Sequence, residues 1–288
     1  MMSRSTCIAI AFAFISIGAS AQSGEDRFAA VEMKATHVSG SVHMLTGLGG
    51  NIGVSIGTDG TLIIDDQFAP LADKILTALG DLGGDRPKLV LNTHYHGDHT
   101  GANAAMAKSG TIISHQNVRV RLLNTEAFPA AGLPVVTYDD TLSVHFNDDH
   151  LRIIHLPKGH TDGDSAIWFT EAGVAHLGDH LFTGGYPFVD IAGGGSIDGF
   201  VDNLRRMLDL LPAETKVIPG HGPLGTTQDI NDAIVLVSSA ADLAREALAN
   251  GTEPEALVTL LDDAFPGAGD GIISTPRWIE IVQADAAN

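Results

Sequence analysis

The sequence predicts an α/β fold in which two β-sheets pack face to face while helices cover both outer faces. Two observations carry this expectation. Short apolar and β-branched runs give way to helical spacing twice along the chain, producing two successive halves that each run β first and α afterwards. No segment rich enough in Pro, Gly or Ser to act as a linker divides the halves, and no short-period repeat is present, so one unit over residues 22–288 is expected.

The elements follow in order. Ser41 to Phe68 holds three strand-like runs separated by Gly-rich turns, with Thr58-Asp59-Gly60 as the clearest hairpin signal. Ala69 to Leu82 has helical spacing at Leu71, Ile75, Leu76 and Leu79, and it feeds a buried strand over Pro87 to Asn92. A helix over Gly101 to Lys108, a strand over Thr111 to Ser114, a helix from about Gln116 and a loop with Pro129, Gly132 and Pro134 close the first half. In the second half, Leu142 to Asn147 and Leu151 to Leu156 flank a turn at Asp148-Asp149. Ser165 to Thr170 and Val174 to Leu177 flank Glu171-Ala172-Gly173. A helix over Asp198 to Leu211 and a strand over Lys216 to Ile218 come next. The remainder, about 226–288, is helical: Asp229 to Ala249, Pro254 to Leu261, and a last helix with Pro276 in its first turn.

With 288 residues, 44% hydrophobic and 18% charged, the chain excludes disordered, collagenous and disulfide-scaffold classes. Lys and Arg number 16 against 35 Asp and Glu, a net charge of −19, which disfavours nucleic acid as a partner. Any cationic site must then be built locally, for example from bound metal ions. No protein partner is inferred; the expected partner is a small-molecule substrate.

The N-terminus reads MMSRST, then the apolar run CIAIAFAFISIG, then Ala19-Ser20-Ala21, the three-part form of a secretory signal with cleavage expected after Ala21. The apolar run is far shorter than the roughly 20 residues that span a bilayer. No stable membrane insertion is therefore expected, and the mature chain should be periplasmic or secreted. Cys7, the only cysteine, falls within residues 1–21, so the mature chain would offer no thiolate as nucleophile, metal ligand or disulfide partner.

Asn92-Thr93-His94-Tyr95-His96-Gly97-Asp98-His99-Thr100-Gly101 places three imidazoles and a carboxylate within six residues, directly after an apolar strand. Residues i and i+2 on a turning backbone can converge on one ion, while Asp98 and His99, entering the next helix, point to a neighbouring position. Further ligands should then follow later strands. His160 stands in Gly159-His160-Thr161, Asp179 ends the run VAHLGD, and His221 follows KVIPG. Each lies where an apolar strand meets a Gly-containing loop.

These residues resemble the metallo-β-lactamase-fold hydrolase superfamily, whose H-x-H-x-D-H … H … D … H pattern is met at His94, His96, Asp98, His99, His160, Asp179 and His221. The resemblance implies a four-layer αββα sandwich of two mixed β-sheets flanked by helices. It also implies two Zn²⁺ per chain: His94, His96 and His160 on one, Asp98, His99 and His221 on the other, and Asp179 bridging them. Nitrogen and carboxylate donors suit zinc, which brings the pKa of its bound water to about 7. Asp98 is the expected catalytic residue, orienting the nucleophilic hydroxide and receiving its proton.

Asp179 stands where the largest β-lactamase subclass has a cysteine, and Phe182 where that subclass usually has a lysine, so the chain is more similar to lactonases, glyoxalase II-type thioesterases and generalist hydrolases. The reading is an exported dinuclear zinc hydrolase opening a small cyclic amide, lactone or ester, β-lactamase-like with modest or promiscuous activity. The alternatives are an iron-dependent persulfide dioxygenase of the same fold and a glyoxalase II-type thioesterase; after His221 only Arg245 and Arg277 remain to hold an anionic peptide. Tyr186 is a candidate for the tyrosine that lactonases of this fold carry near the metals. His180, Thr161 and Asp164 are candidates to support ligands through hydrogen bonds. The remaining histidines, with Trp168 and Trp278, read as surface or core, and the Gly49-Gly50 turn reads either as a plain hairpin or as a mobile flap.

Overall fold

The computed structural model of the chain describes residues 26–288. The expected export signal at residues 1–21 lies outside the described residues. After a short helix α1 (Asp26–Ala29), strands β1 (Lys34–Ser39), β2 (Val42–Thr46), β3 (Ile52–Gly57) and β4 (Gly60–Ile64) form an antiparallel meander. Helix α2 (Ala72–Asp81) leads to β5 (Leu89–Leu91). Short helices α3 (Gly97–Thr100) and α4 (Asn103–Met106) lead to β6 (Thr111–His115), and α5 (Gln116–Asn124) to β7 (Val136–Tyr138). β4, β5, β6 and β7 are parallel neighbours, so the first sheet is mixed, in the order β1 to β7.

The second sheet is built from β8 (Thr141–Phe146), β9 (Asp149–His155), β10 (Ser165–Phe169), β11 (Val174–Phe182), β12 (Lys216–His221) and β13 (Gly225–Thr226), with α6 (Ile197–Leu210) between β11 and β12. Its order is β13-β12-β11-β10-β9-β8, antiparallel except for the parallel pair β11 and β12. Helices α7 (Thr227–Ala249), α8 (Pro254–Ala264) and α9 (Thr275–Ala286) complete the chain.

The layers follow from side-chain alternation. Along β4, Leu62 and Ile64 face the second sheet, where they join Leu151, Ile153, Ile167, Phe169 and Ile218 in the central core. Ile63 between them faces outward against Ile75, Leu79 and Met106. On the other side, Ala166, Ala175, Leu177 and Val217 pack under Phe200, Leu204 and Met207 of α6 and under α7, α8 and α9 around Trp278. Two mixed sheets flanked by helices are thus the observed architecture, and every strand and helix expected from sequence is present. Among the described residues no helix is long and apolar enough to cross a membrane.

Several details differ from expectation, among them the short α1, α3 and β13, which are additional. β1 is an additional edge strand in which Val38 alone is buried, so it has no apolar alternation to read. β7 is likewise additional, three residues long and mostly exposed. The β8–β9 turn is Asn147-Asp148, both with positive φ (53° and 60°), as the mirror-type two-residue turns require. Asp149 is released to the strand, where its carboxylate accepts from the Glu171 and Ala172 amides at 3.0 Å each.

Candidate metal centre

The carboxyl ends of the strands deliver the chemistry to one edge of the sandwich. β5 ends at Leu91, and the next eight residues carry His94, His96, Asp98 and His99. His160 lies on the β9–β10 loop, Asp179 within β11, and His221 at the end of β12. A register shift between His176 and Gly178 bends β11 just before Asp179. Gly178 has φ +52°, and a Cβ there would lie 2.7 Å from Thr93, so only glycine lets the two ligand-bearing segments approach.

All seven residues named from sequence converge, in two groups. His94 Nε2 faces His96 Nδ1 at 3.1 Å, and His160 Nε2 faces the same Nδ1 at 2.8 Å. Asp179 Oδ2 stands 3.5 Å from His160 Nε2 and 3.9 Å from His94 Nε2. In the second group, Asp98 Oδ2 is 3.3 Å from His221 Nε2 and 3.6 Å from His99 Nε2. The other Asp179 oxygen completes it, at 3.0 Å from His99 Nε2 and 3.4 Å from His221 Nε2. One carboxylate therefore serves both groups.

The outward nitrogens show what the inward ones carry. His96 Nε2 donates to Asp190 at 2.9 Å, and His160 Nδ1 donates to the Phe188 carbonyl at 2.6 Å. Thr93 Oγ1 gives its proton to Asp65 at 2.7 Å and so accepts from His94 Nδ1 at 3.0 Å. In the neutral rings the three inward nitrogens are then lone pairs, gathered with no donor among them. His99 Nε2 and Asp179 Oδ1 are buried without a hydrogen-bond partner. Converging acceptors that leave each other unsatisfied are costly in an interior, and a cation is what satisfies them. The donor atoms of each group lie within 4.8 Å of one another, and both groups fit a divalent ion held by nitrogen and oxygen.

The electrostatics differ between the groups. Burial, with help from neighbouring imidazoles, holds His94 well below the ordinary histidine range and His160 at about 4. Burial opposes charge at His99 and His221 too, but there the carboxylates win: Asp179 and Asp65 raise His99 well above its usual value, and Asp179 and Asp98 raise His221 to about 9. Asp179 itself, despite burial, is pulled well below the carboxylate range by His99 and His221. The second group is thus a place where positive charge is favoured.

Several supporting residues were not legible in the sequence. Asp65, fully buried at the end of β4, accepts from the Thr93 amide (2.8 Å), the Thr93 hydroxyl and His99 Nδ1 (2.7 Å). Asn51 clamps the His221 loop, its Nδ2 donating to the Pro219 and Gly222 carbonyls at 3.0 and 2.9 Å. The acid pair Asp65-Asp66 after an apolar strand was the available signal for the first; nothing in the local pattern marks the second.

Of the supporters suggested by sequence, Asp164 accepts from the Thr161 amide at 2.7 Å and so braces the loop after His160, while His180 stacks on Phe200 and reaches Asp164 at 3.4 Å. Neither touches a ligand side chain. Tyr186 is a correction. It is 1% exposed and stacked on Trp278 at 5.2 Å in the core under α9, because its ring is better accommodated among apolar helices than at a polar rim.

The Gly49-Gly50 turn is pinned. The Gly50 amide donates to the Asp98 backbone carbonyl, the Asn51 amide to the Gly220 carbonyl and Gln67 Nε2 to the Gly50 carbonyl, at 3.2, 2.7 and 2.7 Å. A Cβ on Gly50 would stand 2.1 Å from the His99 ring. Gly50→Ala is therefore expected to displace His99 and cost about 1–3 kcal/mol of stability through overpacking. Thermal melting together with zinc titration checks this; unchanged melting and affinity would contradict it.

A fold of two mixed sheets between helices with such a paired His/Asp cluster at its strand ends defines a class of α/β metal-binding proteins. The family model described as Metallo-beta-lactamase superfamily matches residues 45–221, which include all seven converging residues, and the chain belongs to that superfamily. It is 32% identical over 170 residues to a hydroxyacylglutathione hydrolase of Methylococcus capsulatus, covering 57% of this chain and 58% of that protein. It is 36% identical over 153 residues to one of Rhodospirillum rubrum, covering 52% and 54%. The chain spans little more than half the length of these curated relatives. Among solved structures, a metallo-beta-lactamase from Pontibacter korlensis shares the fold with a TM-score of 0.62 at 17% identity, over 72% of this chain and 99% of that one.

Proposed function

We propose that the chain is an exported dinuclear zinc hydrolase that opens a small cyclic amide, lactone or ester. The observation that carries this reading is the pair of donor groups sharing Asp179, with the outward nitrogens of His94, His96, His99 and His160 committed to hydrogen bonds. Bound zinc ions would supply Lewis acidity toward a carbonyl oxygen and a water acidified to near neutrality.

The chain's own residues supply access, orientation and proton handling. Among the seven, His96, Asp98 and His221 have the most exposed side chains (19%, 26% and 15%), so substrate enters over them. Asp98 is the most open carboxylate of the cluster, and it can orient water and take up its proton. Phe182 stacks on His221 at 5.2 Å and Phe188 leans on His160 at 5.7 Å, which gives the entrance apolar walls. Arg121 nearby is held by both oxygens of Asp162. These surroundings favour an apolar acyl group and make β-lactam opening a secondary, promiscuous activity.

The relatives named hydroxyacylglutathione hydrolases favour a thioester as second reading. Here Arg245 pairs with Asp285 and Asp198, and Arg277 with Glu280, so the anionic peptide of glutathione would have to compete for them. Export is inferred from the N-terminal signal pattern alone.

The test is a panel of chromogenic cephalosporin, acyl-homoserine lactone, thioester and aryl ester on full-chain protein loaded with zinc. Turnover of the neutral esters or thioester is expected to exceed that of the cephalosporin, to vanish on chelation and to return with zinc, at about two ions per chain. A single tightly held iron without hydrolysis would defeat the proposal.

A further inference from the structure

Asp190 lies outside the seven converging residues and 94 positions from His96, on the loop between β11 and α6. Its Oδ2 accepts from His96 Nε2 at 2.9 Å and from the Tyr95 hydroxyl at 2.5 Å, and its Oδ1 accepts from the Gly193 amide at 2.8 Å. Its backbone amide donates to the His160 carbonyl at 2.9 Å, so the same residue is tied to two histidines of the first group. The loop is shaped around this carboxylate. A Cβ on Gly193 would stand 2.3 Å from Asp190 Oδ2, and one on Gly195 2.4 Å from the His160 carbonyl oxygen. The run Gly193-Gly194-Gly195 therefore has a steric reason: side chains at its first and last positions would push the loop off the histidines.

The three histidines of the first group do not present equivalent atoms. His94 and His160 turn Nε2 inward, whereas His96 turns Nδ1 inward and Nε2 out. A free imidazole distributes its proton between both nitrogens and its ring between two flips, and only a fixed acceptor outside selects one arrangement. A carboxylate accepts and cannot donate, so Asp190 requires the proton on His96 Nε2.

We propose that Asp190 is a positioning residue that makes Nδ1 of His96 the ligand atom of the first metal group, and that the 190–195 loop exists in this chain to present it. This rests on the reading of that group as a metal site. Asp190 touches neither ion nor substrate; it acts through His96.

The experiment compares full-chain wild type with D190A, D190N and G193A, each stripped of metal. Each protein is titrated with zinc against a competing chelator and, separately, with cobalt as a spectroscopic probe. In D190A and in G193A, where the carboxylate is pushed aside without being removed, affinity for one of the two ions should fall about 10–100-fold. The cobalt ligand-field bands of that ion should shift while the other ion keeps its wild-type affinity and bands; the crowded Cβ of G193A lowers the metal-free melting midpoint as overpacking does, so the deciding readout is the difference between the two ions. D190N keeps an oxygen that can accept from Nε2–H, although its NH₂ then faces the Gly193 amide, so it should lose less affinity than D190A. Wild-type affinity for both ions in D190A and G193A, or an equal loss of both, overturns the assignment. A wild-type chain that binds no divalent cation overturns the metal reading itself, a separate and distinguishable failure.

Discussion

Asp179→Ala should strip both metal groups together and lower kcat/KM by about 100-fold or more. Losing a hydrogen-bonded supporter of a ligand typically costs 10–100-fold in affinity or activity, and Asp179 is more than a supporter. Its two oxygens stand 3.0 Å from His99, 3.4 Å from His221, 3.5 Å from His160 and 3.9 Å from His94, and among the described residues no other carboxylate reaches both groups in this way. Asp179→Asn keeps the volume and one acceptor oxygen but removes the charge, and an intermediate loss is expected. Metal content after dialysis, measured with kcat/KM on the best panel substrate, checks both variants; wild-type occupancy of either group in Asp179→Ala would contradict the bridging role.

The same residue sets how the metal-free protein responds to pH. His221, raised to about 9 by Asp179 against the effect of burial, contributes stability that is complete below the unfolded histidine pKa of about 6.5 and is lost as pH rises toward 9. Asp179, held well below the carboxylate range, contributes stability that is present above about pH 4 and is lost as pH falls toward its folded value. These two contributions are both complete between about pH 4 and 6.5, while the depressed His94 and His160 act in the opposite sense as pH falls below 6.5; Asp179→Ala should flatten the Asp179 and His221 slopes in denaturation curves taken from below pH 4 to about pH 9.

The legible parts of the fold are those in which one face of an element is buried. α2 could be read because Ala72, Ile75 and Leu79 bury one stripe, and α6 because Ile197, Phe200, Val201, Leu204 and Met207 do the same. β1 and β7 sit at the two edges of the first sheet with mostly exposed side chains, so backbone pairing defines them and no hydrophobic pattern announces them. The helix expected over Gly101 to Lys108 is shorter than expected, confined to α4, and α3 is an additional turn before it; between them the Ala102 amide is tied to Asp66 at 2.9 Å, so the two do not run on as one helix.

The candidate site divides along a similar line. Its seven converging side chains were readable because histidine and aspartate at strand ends, in close spacing, are unusual on packing grounds alone. Residues that orient them were hidden, since a hydrogen bond between positions 94 apart, as from His96 to Asp190, leaves no mark in either local sequence. Tyr186 shows the opposite error: a functional residue type near the expected position, whose ring the core under α9 claims instead.

Asp65→Ala is the substitution expected to injure stability and both metal groups at once. The carboxylate accepts from His99 Nδ1 of the second group and from Thr93 Oγ1, and that hydroxyl in turn accepts from His94 Nδ1 of the first. Alanine would leave the Thr93 amide and the His99 N–H buried and unpaired, each costing about 1–3 kcal/mol. It would also have to adopt φ +64°, a conformation that Asp and Asn tolerate better than other non-glycine residues. A loss of about 3–5 kcal/mol follows, seen as a lowered melting temperature without metal.

Asp65→Asn separates the two effects. It keeps the backbone conformation, yet one end of an amide must now donate. If its NH₂ faces His99, that ring can accept only by moving its proton to Nε2, which aims a hydrogen into the second group; if it faces the Thr93 amide, two donors collide. In the first arrangement the same NH₂ also faces Thr93 Oγ1, which loses its acceptor, so zinc affinity falls at the second group about 10–100-fold and is lowered at the first as well. In the second, the metal-free protein is destabilised while His99 keeps its tautomer. Zinc titration beside thermal melting distinguishes the outcomes, and an Asp65→Asn protein that matches wild type in both would show that the carboxylate neither orients His99 nor secures Thr93.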